Sequence, residues 1–404
     1  MFFLKILSCL VIYFCSCHFV SAEPIEANTL KDKAEQEVIS IISLISQQKI
    51  DLALKKAAEL KKNNPNFQLG QLIYSDLLLS RSNLINHFFL FEADKNKKND
   101  YFAELDARVG AVSSKTVIDE SIPENFDFFS ADIPYVLAFD YSLSRLYLFK
   151  NEASDRQTIK LKLIADQYLS SGEQGALKEL DGDKKSPIGV YRITSFIEDD
   201  KLPELYGWGA FPINYPNHWD QRLSRTGSGI WLHGVPRSQY SRPPQASRGC
   251  LVVSNEFLKE LSHYIGLNTP MLLSKSLTWV DKNTRKDSQL INYFKLWQNS
   301  WQKKDMNTYA KLYADDFYNG KQNLSQFLKE RRKDFSKNKP LQLEINQVSI
   351  IHYPNESDLA VVNFRQNYRH GNYNKTAFKQ QYWQKNHYGM WQIIDERIEK
   401  NNNG

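Results

Sequence analysis

His233 and Cys250, seventeen residues apart, are the side chains in this sequence best suited to covalent chemistry. The cysteine closes the run Ser247-Arg248-Gly249-Cys250. Cys9, Cys15 and Cys17 all lie in an N-terminal segment with the pattern of a removable leader, so an exported chain would keep Cys250 alone, without an intramolecular disulfide partner. An ordinary thiol has a pKa of about 8.5 and is only about 3% thiolate at pH 7. A nucleophilic cysteine therefore needs help from its surroundings. A histidine within hydrogen-bond reach can take the thiol proton during attack and return it to a leaving amine. Gly249 gives the backbone freedom to turn its own amide, and that of Cys250, toward a developing oxyanion.

The surroundings are cationic. Residues 221–255 hold five arginines (Arg222, Arg225, Arg237, Arg242 and Arg248) and no acid. A cation facing the sulfur favours thiolate over thiol. Arg237 and Arg242 lie beside Pro236, Pro243 and Pro244 and read as loop-hydrating side chains, whereas Arg248, two residues before the sulfur, is expected to act on it. A zinc site of Cys250, His233 and His218 is the rival reading. It needs three or four ligands with their own spacing, and no second cysteine or paired histidine motif supplies them.

These groups require a scaffold. His233 ends the strand-like Ile230-Trp231-Leu232, where a strand runs into a loop at Gly234. Short strand-like pieces recur between residues 135 and 274, separated by glycine-bearing connections at 172–189 and 207–209 that suit loops around a cleft. Upstream, Val38, Ile41, Ile42 and Ile45, then Leu52, Leu54, Ala57, Ala58 and Leu60, mark one face of successive helices. One such helix-turn-helix unit cannot bury its own face, so it is expected to pack on the next domain or, as a homodimer contact, on a second copy. Residues 282–286 read as a linker. Helices around Trp297, Tyr309 and Phe327, followed by alternating strands to Ile394, make an α+β domain whose aromatic residues line a pocket or fill a core, the filled core being the default. The first 22 residues read as a secretory signal peptide ending at Val20-Ser21-Ala22, which places the chain outside the cytoplasm. A net charge of +6 over 404 residues does not indicate a nucleic-acid partner.

His233-Gly234, a spacer, and Ser247-Arg248-Gly249-Cys250 resemble the signature of the L,D-transpeptidase catalytic domain. The segment from Gly175 through Asp183-Lys184-Lys185-Ser186-Pro187-Ile188-Gly189 and the stretches Tyr206-Gly207 and Asn214-Tyr215-Pro216-Asn217 resemble further motifs of that family, in the same order. The tail, with Trp297, Trp301, Tyr313, Phe317, Trp391 and Glu396, is similar to a nuclear-transport-factor-2-like domain. The whole arrangement resembles the L,D-carboxypeptidases that shape helical bacteria, and also less well defined transpeptidases with the same tail. The resemblance implies a multidomain α+β protein: a helical accessory segment at 23–130, a β-rich catalytic domain at 131–277, and a C-terminal α+β cone with a curved antiparallel sheet at 283–400. It also implies a periplasmic enzyme of peptidoglycan stem peptides that needs no cofactor or metal. Cys250 would attack the L-centre of a diamino acid and expel D-alanine, with His233 as base and then acid and the Gly234 carbonyl orienting it. Arg248 would bind a carboxylate or bias the thiolate, and the Gly249 and Cys250 amides would form the oxyanion hole. Ser247, Tyr215, Trp231 and Arg222 would contact substrate, and the C-terminal domain would take a protein partner or small ligand. Many members carry an arginine two residues after the cysteine, where this chain has Val252. A catalytically silent wall-binding or scaffolding module is the alternative.

Overall fold

The computed structural model describes residue 30 and residues 32–81, 95–118, 120–153, 160–282, 288–338 and 340–399. The signal segment, with Cys9, Cys15 and Cys17, lies outside the described residues. The N-terminal helices are α1 (Lys33–Ser46), α2 (Ile50–Asn63), α3 (Gln68–Arg81) and α4 (Lys95–Ile118). Asp32 caps α1 by accepting from the Glu35 amide, which satisfies one of the free N–H groups of the first turn. The predicted stripe of Val38, Ile41 and Ile42 is buried against Ala53, Ala57 and Leu60 of α2.

Residues 121–129, which the sequence reading places in the helical segment, are extended. Strand β1 (Ser121–Pro123) pairs with a strand at the far end of the catalytic domain, and β2 (Phe126–Phe129) joins the sheet of the C-terminal domain. The catalytic region then runs through β3 (Tyr135–Asp140), β4 (Arg145–Asn151), β5 (Leu161–Tyr168), β6 (Ser171–Gly172), β7 (Gly189–Arg192), β8 (Ile197–Glu198) and β9 (Gly209–Pro212). After the short helix α5 (His218–Arg222) come β10 (Trp231–His233), β11 (Gln245–Ser247), β12 (Leu251–Val252), α6 (Asn255–Leu261), β13 (Pro270–Ser274) and β14 (Trp279–Asp281). A five-stranded sheet of order β5-β4-β3-β13-β7 backs a four-stranded sheet of order β12-β10-β9-β8, and a core that includes Phe139, Leu148, Leu232, Leu251 and Leu258 joins them. Burying each such side chain is worth about 1.5–3 kcal/mol, so the strands that carry His233 and Cys250 rest on a well-anchored floor.

The C-terminal region packs helices α7 (Gln289–Gln302), α8 (Met306–Lys311) and α9 (Leu324–Phe335) on the antiparallel strands β15 (Leu341–His352), β16 (Leu359–His370), β17 (Tyr373–Lys385) and β18 (Trp391–Ile398). Trp297, Trp301, Tyr309 and Trp383 fill its interior. Within that interior Glu396 accepts from Lys379 at 2.6 Å and from Tyr313 at 2.8 Å. A second core, including Phe126, Phe149, Trp219, Tyr382 and Ile394, runs from the catalytic sheet into the C-terminal one. Arg192 pairs with Glu399 at 2.7 Å across the same junction.

The helical segment packs on the catalytic domain through buried charge. Glu35 bridges Arg108 of α4 and Arg145 of β4, each at 2.7 Å. Arg108 also holds Glu104 at 2.9 Å, and Arg145 holds Asp166 at 2.6 Å. Both arginines are almost wholly buried. Glu35, Glu104, Asp166 and Asp32, the last 3.5 Å from Arg108, therefore balance the two arginines in place of the solvation that water would otherwise supply.

Candidate active site

Parallel pairing of β10 with β12 sets the geometry. Leu232 lies opposite Leu251 and His233 opposite Val252, so Cys250 enters its strand two positions before the level of the histidine, about 7 Å along the strand direction. The turn that delivers the cysteine is held from within. Gly249 has φ +114°, in the region that favours glycine, and a Cβ there would meet the Lys185 carbonyl at 2.7 Å. The Ser247 hydroxyl donates to the Cys250 carbonyl at 2.7 Å and accepts from the Gly249 amide at 3.1 Å. Outside it, buried Ser186 donates to the Gly249 carbonyl at 2.9 Å. The 172–189 loop is thus clamped to the cysteine turn.

His233 is buried, and its Nδ1 lies 2.6 Å from the Gly234 carbonyl. A carbonyl only accepts, so that bond puts the proton on Nδ1 and leaves Nε2 with its lone pair. Burial pulls the imidazole down to about 4; nearby Arg242 adds to this and the Gly234 carbonyl opposes it. Burial also pushes the Cys250 thiol up, against the Trp231 amide, Arg242 and Lys178, which lower it. At rest the sulfur donates to the Gly229 carbonyl at 3.5 Å. The resting pair is therefore a neutral thiol and a neutral imidazole. An aromatic wall flanks them: the Tyr206 ring lies edge-on to His233 at 5.0 Å and tilted to Trp231 at 4.8 Å.

The sequence-predicted residues divide into those at the cysteine and those turned away. Cys250, His233, Gly234, Gly249, Ser247 and Trp231 come together, although the Ser247 hydroxyl and the Gly249 amide are occupied with each other. Tyr215 is buried, its hydroxyl donating to the Thr226 carbonyl at 3.0 Å. Arg222 reaches the C-terminal domain, pairing with Asp316 at 2.7 Å. Arg248 is exposed, with no ion-pair partner among the described residues. Arg242, read from the sequence as a loop-hydrating side chain, is instead the arginine whose charge acts on both Cys250 and His233. Lys178, missed in the sequence, is buried beside the site and pairs with Asp183 at 2.7 Å. Burial alone would raise the Asp183 carboxyl, but Lys178 and three backbone amides outweigh it and hold it at about 2. His218 sits at the junction with the C-terminal domain, 3.3 Å from Glu399. Among the described residues no cluster of three or more His, Cys, Asp or Glu could hold a metal ion.

Residues 134–273 match the L,D-transpeptidase catalytic domain. The chain carries an L,D-transpeptidase catalytic domain. Domains of this family belong to cysteine-dependent peptidoglycan enzymes. Residues 289–397 match the Cds6 C-terminal NTF2-like domain. Among solved structures, Bd1075 of Bdellovibrio bacteriovorus is similar over 69% of this chain and 98% of its own, at 26% identity and a TM-score of 0.55. The helical cell shape determining protein Pgp2 of Campylobacter jejuni is similar over 71% of this chain and 98% of its own, at 22% identity and a TM-score of 0.55. No curated protein matches the sequence. No helix among the described residues is long and apolar enough to cross a membrane.

Proposed function

We propose that the L,D-transpeptidase domain of this chain uses Cys250 as its nucleophile on peptidoglycan tetrapeptide stems, in an exported, periplasmic protein. The sulfur attacks the carbonyl at the L-centre of the diamino acid as His233 Nε2 takes the thiol proton. The imidazolium returns that proton to the amine of the departing D-alanine. A thioester is left on Cys250, which passes its acyl group to an amine, giving a cross-link or attachment, or to water, giving a tripeptide stem. The observation that carries this reading is the 2.6 Å contact of His233 Nδ1 with the Gly234 carbonyl. It fixes the tautomer that makes Nε2 a base, on the strand next to the cysteine.

Ser247 positions rather than reacts: its hydroxyl pins the turn and occupies the Gly249 amide. That leaves the Cys250 amide as the donor for the oxyanion, a role in which one hydrogen bond is worth about 10² to 10³ in rate. Incubating purified tetrapeptide stems with the protein and weighing the products tests the reading. Tripeptide or cross-linked dimer is expected from the wild type, and neither from Cys250→Ala. Unchanged stems with the wild type, or full turnover by the variant, would overturn it.

A further inference from the structure

The loop of residues 236–244 connects the strand that ends at His233 to the strand that ends at Ser247. The N-terminal helices hold its first half. The Tyr240 amide donates to the Asn66 carbonyl at 3.1 Å, and Asn66 Nδ2 donates to the Gln239 carbonyl at 3.2 Å. Ser241 Oγ donates to Glu104 Oε1 at 2.6 Å, and the Tyr240 hydroxyl donates to Asp32. The Tyr240 ring packs 4.7 Å from that of Phe67. The catalytic domain holds the second half: the Tyr168 hydroxyl donates to the Arg242 carbonyl at 2.8 Å, and the Ser171 amide to the Pro244 carbonyl at 2.7 Å. Pro243 and Pro244 restrict the backbone between these anchors.

Arg242 is the residue this loop delivers. Its Nη2 donates to the Leu205 carbonyl at 3.3 Å, next to Tyr206, whose ring touches His233. On its other side the chain of Arg242 lines a small void with Val252 and Val253, which follow the cysteine. The guanidinium is half-buried and makes no ion pair among the described residues. Asp32 lines the same void but is taken by Arg108, Gln167 and Tyr240, so the charge of Arg242 is left for something else.

We infer that Arg242 is the electrostatic and carboxylate-docking residue of the Cys250 centre, and that the N-terminal helices serve the reaction by holding its loop in place. The stem substrate ends in a D-amino acid carboxylate, and the guanidinium fork is the side chain suited to a carboxylate. This rests on the proposed cysteine chemistry. It assigns to Arg242 the role that sequence position would give to Arg248.

Alkylation of Cys250 tests it without any peptide. Iodoacetamide is neutral and iodoacetate carries a carboxylate, while the two are nearly the same size. The iodoacetate-to-iodoacetamide ratio of rate constants, relative to that for a small unstructured cysteine peptide, reads the charge that meets a carboxylate at the sulfur. The expected ratio exceeds that of the free peptide by about fivefold or more, the effect of one unit charge close by. It is expected to fall most of the way to the peptide value in Arg242→Gln, where Lys178 remains, to be largely kept in Arg242→Lys, and to stay high in Arg248→Gln. Across pH, Arg242→Gln should also move the alkylation profile upward, because Arg242 and Lys178 are the cations that favour the thiolate and the neutral His233 adds none. A wild-type ratio equal to that of the peptide, or a loss in Arg248→Gln instead, would overturn the inference. The wild-type ratio stands whether or not a variant folds. A preserved ratio in folded Arg242→Gln together with intact stem turnover would sink this inference alone, and loss of turnover on Cys250→Ala bears on the parent reading alone.

Discussion

Cys250 and His233 are held as a neutral pair, and this sets how the chemistry depends on pH. The base must be unprotonated to act. An ordinary histidine would lose that capacity below about 6.5, whereas burial holds His233 down to about 4. The acid limb of kcat/KM on stem peptides is therefore expected near pH 4, and a limb at 6.5 would show that the imidazole is solvated or paired with an anion. At this scale the sequence was informative where chemistry restricts residue type. A lone cysteine, a histidine before glycine and a glycine before the cysteine were all legible. The arginines were not. Arg248 is nearest in sequence yet faces solvent, while Arg242, on a loop beside prolines, reaches the Leu205 carbonyl next to Tyr206. No local pattern carries such information.

Among the elements, α1 shows what periodicity reveals and what it hides. Val38, Ile41 and Ile42 announce a buried stripe, and they are buried. Glu35, on the same helix, carries no such signal in the sequence, yet it bridges Arg108 and Arg145 in the interior. Removing one member of a buried ion cluster strands the others and costs about 3–5 kcal/mol. Glu35→Ala should therefore lower the unfolding free energy by about that amount in denaturant titration; a loss below about 1 kcal/mol would mean that the cluster is hydrated, as surface pairs are. Strands β1 and β2 were illegible for a related reason. Phe126-Asp127-Phe128-Phe129 is too short to alternate clearly, and its partner β15 lies far along the chain. Strand β17 begins in exposed polar residues, such as Asn374 and Lys375, where no apolar alternation marks it in the sequence.

For the whole molecule, the junction between catalytic and C-terminal regions adds a second buried histidine. Burial pulls His218 down to about 4, with Arg397 and Arg192 lowering it further and Glu399 raising it. A histidine whose folded pKa lies below its unfolded one binds protons more readily when unfolded, so its contribution to stability is full above about 6.5 and is lost as pH falls toward 4. Asp395, pushed up by burial to about 6 against Arg397, has the opposite sign over part of that range. His233 and His218 each contribute a drop in melting temperature between pH 7 and pH 4.5, against the opposite contribution of the raised carboxyls Glu35, Asp106, Asp220 and Asp395. His218→Gln should shrink that drop, and an unchanged drop would mean that the junction does not exclude water from His218. The order of domains was legible because each carries its own motif or pattern, whereas the charged and aromatic contacts that join them, such as Trp219 on Tyr382 at 5.9 Å, were not. The central claim, that Cys250 takes the acyl group of a stem peptide, is tested most directly by intact-mass measurement of the whole chain mixed briefly with tetrapeptide stems. The account predicts a gain equal to the tetrapeptide less D-alanine, mapped to Cys250 and missing in Cys250→Ala. Release of D-alanine with the adduct on another residue, or by the alanine variant, would contradict it.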